Sequence, residues 1–157
     1  MEDSFISQKD LDRIFGHAQK EHPRECCGIV TGPEKEAKGN IVYPCANIQN
    51  RLHDENPKEH PRDARTAYYI DPDELLKILK AAKKKSHSIK AIYHSHTENQ
   101  AYFSEEDRKR ALVWGEPLYP GARYIVVSVI GGKVEEFKIF AWDEKAGDFR
   151  QEKHLND

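Results

Sequence analysis

In the segment Ile89–Asp107, IKAIYHSHTENQAYFSEED, an apolar run ends in two histidines one residue apart. Seven residues later come a serine and, three positions on, an aspartate. Ile89–His96 reads as a strand. Residues two apart on a strand face one side, so His94 and His96 project together with Ile92, and Ser95 faces the other way. Ser104 reads as a helix N-cap with Asp107 in the capping-box position. If Thr97–Phe103 folds back, Asp107 joins the histidine pair. Three such ligands leave a tetrahedral metal one open position, the mark of a catalytic rather than a structural zinc site. The histidine pair alone is weak evidence, and SEED alone is a helix cap. The combination of strand, paired His, short loop and capped acid points to a metal.

Working outward, DPDELLKILKAAKKK (71–85) predicts a helix, with Asp71 as cap, Pro72 at the first position and Glu74 at the third. Its apolar face is Leu75, Ile78, Leu79 and Ala82, and its terminal lysines suit the helix dipole better than phosphate. At the N-terminus Ser7 caps a helix whose staple is Ile6 with Leu11, and Pro23 ends it. CCGIVTG (26–32) predicts a buried strand. NIVYPCAN (40–47) predicts a second, with Pro44 placing it at an edge or a bulge. Beyond Ser104 a third helix is expected to close at Gly115. RYIVVSVI and KVEEFKIFAW, joined by Gly131-Gly132, form a hairpin, and the tail past Asp143 carries little pattern. Asn50–Arg65 shows no periodicity and is expected to be a flexible loop, of a length usually tied to function. The order α, β, β, loop, α, β, α, β, β implies one domain over residues 1–157, α/β (α+β), with a mixed sheet packed by helices.

The chain has 157 residues, a third of them charged, with a formal net charge of -2. Mixed signs argue against a nucleic-acid partner. No signal-peptide pattern and no apolar run of membrane-spanning length are present. Three cysteines, two of them adjacent, are not a disulfide framework, so a cytoplasmic setting is expected. Cys26 or Cys27 as a thiolate nucleophile is the rival chemistry, but free cysteines are commonly buried and inert. Tyr102-Phe103 either lines a substrate channel or anchors the loop. Glu25 is the only glutamate leading directly into a buried strand, whereas Glu98, Glu105 and Glu106 fall on a loop or an exposed first turn.

The pattern HSH, seven residues, SxxD resembles the JAMM motif of the MPN+ metalloproteases. PRECCGIVTG resembles that family's first strand, with Glu25 at the position of its general base. YIDPDELLKIL and YPGARYIVVSVIGGKVEEFKIFAW resemble the helix and strands on either side of the motif, so the similarity spans most of the chain. It is strongest to short bacterial members that act on ubiquitin-like sulfur-carrier proteins.

The resemblance implies an MPN-like fold of cytidine-deaminase-like architecture. It implies one Zn²⁺ per chain on His94, His96 and Asp107, with Glu25 as general base and Ser104 donating to the oxyanion. It also implies peptidase or isopeptidase activity at the Gly-Gly tail of a ubiquitin-like or sulfur-carrier protein, a tail that could bind by strand addition. Many members have proline where this chain has Thr97. The alternative, a non-catalytic MPN scaffold, sits poorly with a full ligand set. A zinc deaminase would need a C-x-x-C, which is absent.

Overall fold

The strand carrying the two histidines forms as β3, Ser88–Thr97, and lies in the interior of a six-stranded sheet. The computed structural model describes residues 5–153; the first and last four positions of the expected 1–157 domain lie outside the described residues. β1 (Cys27–Gly32) pairs antiparallel with both β3 and β2 (Ile41–Cys45). On its other side β3 pairs in parallel with β6 (Arg123–Ile130), which continues antiparallel into β7 (Lys133–Asp143) and β8 (Asp148–Glu152). The sheet order is β2-β1-β3-β6-β7-β8. β2 is therefore an edge strand, which accommodates Pro44, a residue without an N–H to donate.

Helix α1 (Gln8–Glu21) covers one face. Ser7 and Asp10 form a full capping box at its start, and Leu11, Ile14 and Ala18 bury against Cys26, Val30, Tyr93 and Val127. Tyr93 needs a gap in the neighbouring strand. A Cβ at Gly28 would lie 2.3 Å from its ring, so only glycine lets this tyrosine reach the His17 Nδ1, 2.8 Å from its hydroxyl. The other face carries α3 (Pro72–Lys84) and α4 (Glu105–Ala111). Ile78 of α3 packs with Cys27, Ile29 and Tyr68, and Ala111 of α4 packs with Ile92, Val126 and Phe140. Asp71 caps α3 through the Asp73 N–H, while Glu74 turns away and accepts from the Ala46 N–H.

Several expectations need correction. The unpatterned segment after Ile48 contains a helix, α2 (Gln49–Glu55), and is tied down by side-chain hydrogen bonds. Gln49 Nε2 donates to the Arg62 carbonyl, the Ala64 N–H donates to Asn50 Oδ1, and the His53 ring meets the His60 carbonyl. Helix α4 ends at Ala111 rather than at Gly115. Gly115, at φ +77°, instead sits in the turn of a small hairpin, β4 (Leu112–Val113) and β5 (Glu116–Pro117). The tail past Asp143 supplies β8, which follows a turn through Gly147 at φ +62°. The hairpin at Gly131-Gly132 forms as expected, both glycines taking positive φ. Among the described residues no helix is long and apolar enough to cross a membrane.

Candidate active site

The site gathers at the C-terminal end of β3. His94 and His96 share a face there, fully buried and 6% exposed respectively. Ser95 points the opposite way and accepts a 2.8 Å hydrogen bond from the Cys26 N–H. The loop after Thr97 does fold back. The Glu98 N–H donates to the Val129 carbonyl, Ser128 Oγ donates to the Asn99 carbonyl, and the Ala101 N–H donates to Glu136. Phe103 anchors the loop between Tyr124, Phe140 and Phe149. Tyr102 takes the other role, half-exposed in the cleft and 4.7 Å edge-on to the His96 ring.

This loop delivers Asp107 to the histidines. Asp107 Oδ2 lies 3.1 Å from His94 Nε2 and 3.4 Å from His96 Nε2, and the two nitrogens are 3.3 Å apart. A tetrahedron with bonds of ~2.0–2.1 Å has edges of ~3.4 Å, so the three atoms stand at the spacing of ligands around one ion. The protonation pattern agrees. The Gln100 carbonyl, 2.9 Å from His96 Nδ1, holds the ring proton there and leaves the Nε2 lone pair facing the carboxylate. Two lone-pair atoms at this separation repel unless a cation lies between them. Tyr68, stacked at 4.5 Å, sets the plane of His94. The residues present therefore fit a divalent metal, and among the described residues these three are the group able to hold one.

Electrostatics divides the carboxylates. Burial alone would raise the Asp107 pKa, but the two imidazole rings, which would carry the positive charge here if protonated with no ion bound, and the hydrogen bond from the Ser104 N–H outweigh it. The group is held well below the usual carboxylate range. Burial lowers the His94 pKa, against the pull of Asp107, and so favours the neutral ring a metal requires. Glu25, 5% exposed, is pushed well above the ordinary glutamate value by burial first and by the charge of Asp107 second. Its position is fixed through the backbone. The Glu25 N–H donates to the Ala64 carbonyl at 2.7 Å, and the Glu25 carbonyl accepts from Asn47 Nδ2 at 2.9 Å.

Glu25, His96, Tyr102, Ser104 and Asp107 all line one open cleft of about 100 Å³. Glu98 does not compete as a base at this cleft. It is exposed, and its carboxylate accepts from the Gly131 N–H at the β6–β7 turn. The thiols do not compete either. Burial pushes Cys26 up to about 12 and raises Cys27 well above its ordinary value. Cys26 faces α1, and only Cys27 lies on the metal side.

Sequence reading missed Asn47, Ala64 and Arg110. Asn47 also donates to the Ala67 carbonyl and accepts from the Gln49 and Tyr69 N–H groups. Arg110 donates to the Tyr68 carbonyl and lies over the Tyr68 and Tyr69 rings. Nothing in local spacing marks such long-range clamps.

Residues 7–145 match the family model described as prokaryotic homologs of the JAB domain. The chain belongs to this family. It is 30% identical over 118 residues to a CysO-cysteine peptidase of Mycobacterium tuberculosis, covering 75% of this chain and 68% of that one. It is 35% identical over 113 residues to a probable TtuB-protein conjugate cleaving protease of Thermus thermophilus, covering 72% and 66% respectively. A desampylase of Haloferax volcanii is 28% identical over 124 residues, covering 76% of each chain. Among solved structures, a protein from Desulfitobacterium hafniense superposes with a TM-score of 0.65 at 22% identity, over 94% of this chain and 88% of the other. That likeness supports the fold. This prokaryotic JAB protein thus has the mixed α/β architecture, and its HxH and SxxD residues bring together a His-His-Asp group that could hold a metal.

Proposed function

We propose that this single-domain JAB protein is a zinc-dependent peptidase or isopeptidase. It hydrolyses an amide bond at the C-terminal Gly-Gly tail of a small ubiquitin-like or sulfur-carrier protein, in the cytoplasm. The carrying observation is the convergence of His94, His96 and Asp107 beside a buried glutamate that opens onto the same cleft. The relatives' names, each a peptidase, desampylase or conjugate-cleaving protease, support the reaction class and the carrier-type substrate.

His94, His96 and Asp107 would hold one zinc ion per chain. When bound, the ion supplies Lewis acidity, acidifying a water and polarising the scissile carbonyl. Glu25 is the base. Its raised pKa places it nearer the operating pH, where a carboxylate most effectively takes and returns a proton. It removes the proton of the attacking water and delivers it to the leaving amine. Ser104 uses an Oγ lone pair to cap α4, accepting from the Asp107 N–H, so its hydroxyl proton remains free to reach a developing oxyanion.

The test is elemental analysis of protein purified without chelators, together with cleavage of a Gly-Gly carrier bearing a C-terminal extension. One zinc per chain and chelator-sensitive cleavage are expected, with circular dichroism nearly unchanged on chelation, because the core does not depend on the site. A metal-free protein that cleaves the carrier would overturn the assignment.

A further inference from the structure

The two histidines of the site are held in different ways. His96 has a hydrogen-bonded anchor, the Gln100 carbonyl 2.9 Å from its Nδ1. His94 is fully buried, and no protein group among the described residues hydrogen-bonds its Nδ1. A metal-binding histidine almost always has its second nitrogen held by a carbonyl, a carboxylate or water, which fixes the ring. At His94 a protein ring face does this work instead. The Tyr68 ring lies 4.5 Å away at an interplanar angle of 23°. A ring stacked that closely, inside a close-packed core, blocks rotation of the imidazole out of its plane.

Tyr68 is itself gripped from α4. Arg110 donates from Nη1 to the Tyr68 carbonyl, and its guanidinium carbon lies 5.6 Å over the Tyr68 ring and 5.1 Å over that of Tyr69. A guanidinium within about 6 Å of an aromatic face is attracted by the ring quadrupole. The same side chain reaches Gln49 Oε1 at 3.4 Å and pairs with Glu106 at 3.7 Å, so the planar fork is held at several points. Arg110 stands three residues after Asp107 on the seven-residue α4, and residues at that spacing are neighbours. The contacts therefore close on themselves. Asp107 meets His94, His94 stacks on Tyr68, Tyr68 is gripped by Arg110, and Arg110 returns to the helix of Asp107.

We propose that Arg110 is a positioning residue for the metal site: acting through Tyr68, it holds the His94 ring in the plane in which His94, His96 and Asp107 can share one divalent ion. The inference rests on the metal-site reading above and deepens it. Neither Arg110 nor Tyr68 belongs to the group able to hold the ion. Tyr68 does for His94 what the Gln100 carbonyl does for His96, with a ring face in place of a hydrogen bond, and Arg110 ties that face to the helix that delivers the third ligand.

The test uses the full chain and the metal alone. Zinc affinity is measured by competition with a chromophoric chelator on wild type, Tyr68→Leu, Tyr68→Phe, Arg110→Met and Arg110→Lys. Partners that orient a metal-bound histidine typically carry ~10–100-fold in affinity. Tyr68→Leu should therefore bind zinc about 10–100-fold more weakly, whereas Tyr68→Phe, which keeps the ring, should stay close to wild type. Arg110→Met should lose about tenfold, and Arg110→Lys should recover part of the loss, because it keeps the charge without the fork. Adding Arg110→Met to Tyr68→Leu should cost little more, since the arginine acts through the ring. The visible bands of the cobalt(II)-loaded protein should change in Tyr68→Leu and Arg110→Met and be preserved in Tyr68→Phe, a signature that lost stability alone would not produce. Wild-type zinc affinity and cobalt bands in Arg110→Met, or losses that add in full in the double variant, would overturn the proposal. Should Tyr68→Leu fail to fold, Arg110→Met and Tyr68→Phe decide it by the same readings. A wild type that takes up no metal overturns both the proposal and the metal reading. If the affinities fall as stated but wild type cleaves no extended Gly-Gly carrier, the role of Arg110 stands and the peptidase reading fails.

Discussion

Ser104 and Asp107 cap one another: Ser104 Oγ accepts from the Asp107 N–H at 3.0 Å, and Asp107 Oδ2 accepts from the Ser104 N–H at 3.0 Å. The oxygen that closes this capping box is the one that faces both histidines. Helix initiation and the placement of Asp107 against the two histidines are therefore one geometric event. A cap is worth ~1 kcal/mol when its side chain is cut to alanine and only a few tenths when it is cut to glycine.

The two substitutions at Ser104 consequently separate structure from chemistry. Ser104→Ala should lower Tm by about 2–4 °C for a chain of this size, whereas Ser104→Gly should leave it nearly unchanged. Both remove the hydroxyl, so kcat should fall by ~10²–10³ in each, as for a lost oxyanion donor. Thermal melts and single-turnover rates on both variants check this. A Ser104→Gly protein with wild-type kcat would remove the serine from the mechanism.

Asn47 is the second place where one side chain serves fold and site together. Its amide satisfies four backbone groups, at Glu25, Ala67, Gln49 and Tyr69. Asn47→Ala leaves them unpaired in a half-buried position. The expected cost is ~1–3 kcal/mol of stability. Because Glu25 loses a clamp, kcat should also drop by ~10–100-fold while zinc content holds. Denaturant melts, metal analysis and kinetics on the one variant test all three. Asn47→Asp would keep the acceptor and lose the donors, and should recover stability only in part.

The parts of the fold set by short-range rules were legible in the sequence. The Ser7 and Ser104 caps, Pro72 at the start of α3 and the Gly131-Gly132 turn each depend on residues within a few positions of one another. So does the shared face of His94 and His96. The segment around α2 was illegible for the opposite reason. Only Gln49 of that helix is buried, so no apolar stripe announces it, and its order comes from hydrogen bonds that Gln49, Asn50 and His53 make to the returning chain at His60, Arg62 and Ala64. β8 escaped notice because just Phe149 of its five residues is buried. Gly115 looked like a helix stop because glycine at positive φ serves a helix end and a hairpin turn equally well. At the site, the proposed ligands could be read from spacing, but Glu25, the proposed base, could be singled out only by its place before a buried strand and through family resemblance. What holds that base in place, Asn47 and Ala64, became visible only with the chain folded.

Burial of Glu25 carries a stability cost with a definite pH dependence. Its folded pKa lies above its unfolded one, so between the two the native state holds a proton that the unfolded chain has released. Stability then falls as pH rises through that window, and the full cost is present above the folded pKa. Below the ordinary glutamate value of 4.5 both states are protonated and the cost vanishes. Metal-free Glu25→Gln should accordingly melt higher than the metal-free wild type at pH 7, each kcal/mol recovered being worth about 2–4 °C. The gain should shrink toward zero near pH 4, below that ordinary value. Calorimetry at the two pH values decides it, and a gain that grows on acidification would mean that Glu25 is not the strained group.

The final prediction separates ligand from base. Asp107→Ala deletes one of three protein ligands and leaves only the histidine pair, so zinc content should fall far below one per chain. It also breaks the cap on α4, so ~1 kcal/mol of stability should go with the metal. Glu25→Gln should do neither. The amide keeps the size of the side chain and one acceptor, and the Glu25 backbone clamps to Ala64 and Asn47 are untouched. It cannot take a proton from the attacking water. Zinc should stay near one per chain while kcat falls by the ~10²–10⁴ typical of lost general-base catalysis. KM should change little, because the interaction lost belongs to the transition state. Neutral imidazole ligands are needed to hold the ion, so wild-type activity should also decline below about pH 6. Zinc stoichiometry and kcat measured side by side on both variants carry the comparison. If Glu25→Gln turns over like wild type, the base must be sought elsewhere along the cleft, and Glu106, which also lines it, becomes the residue to replace.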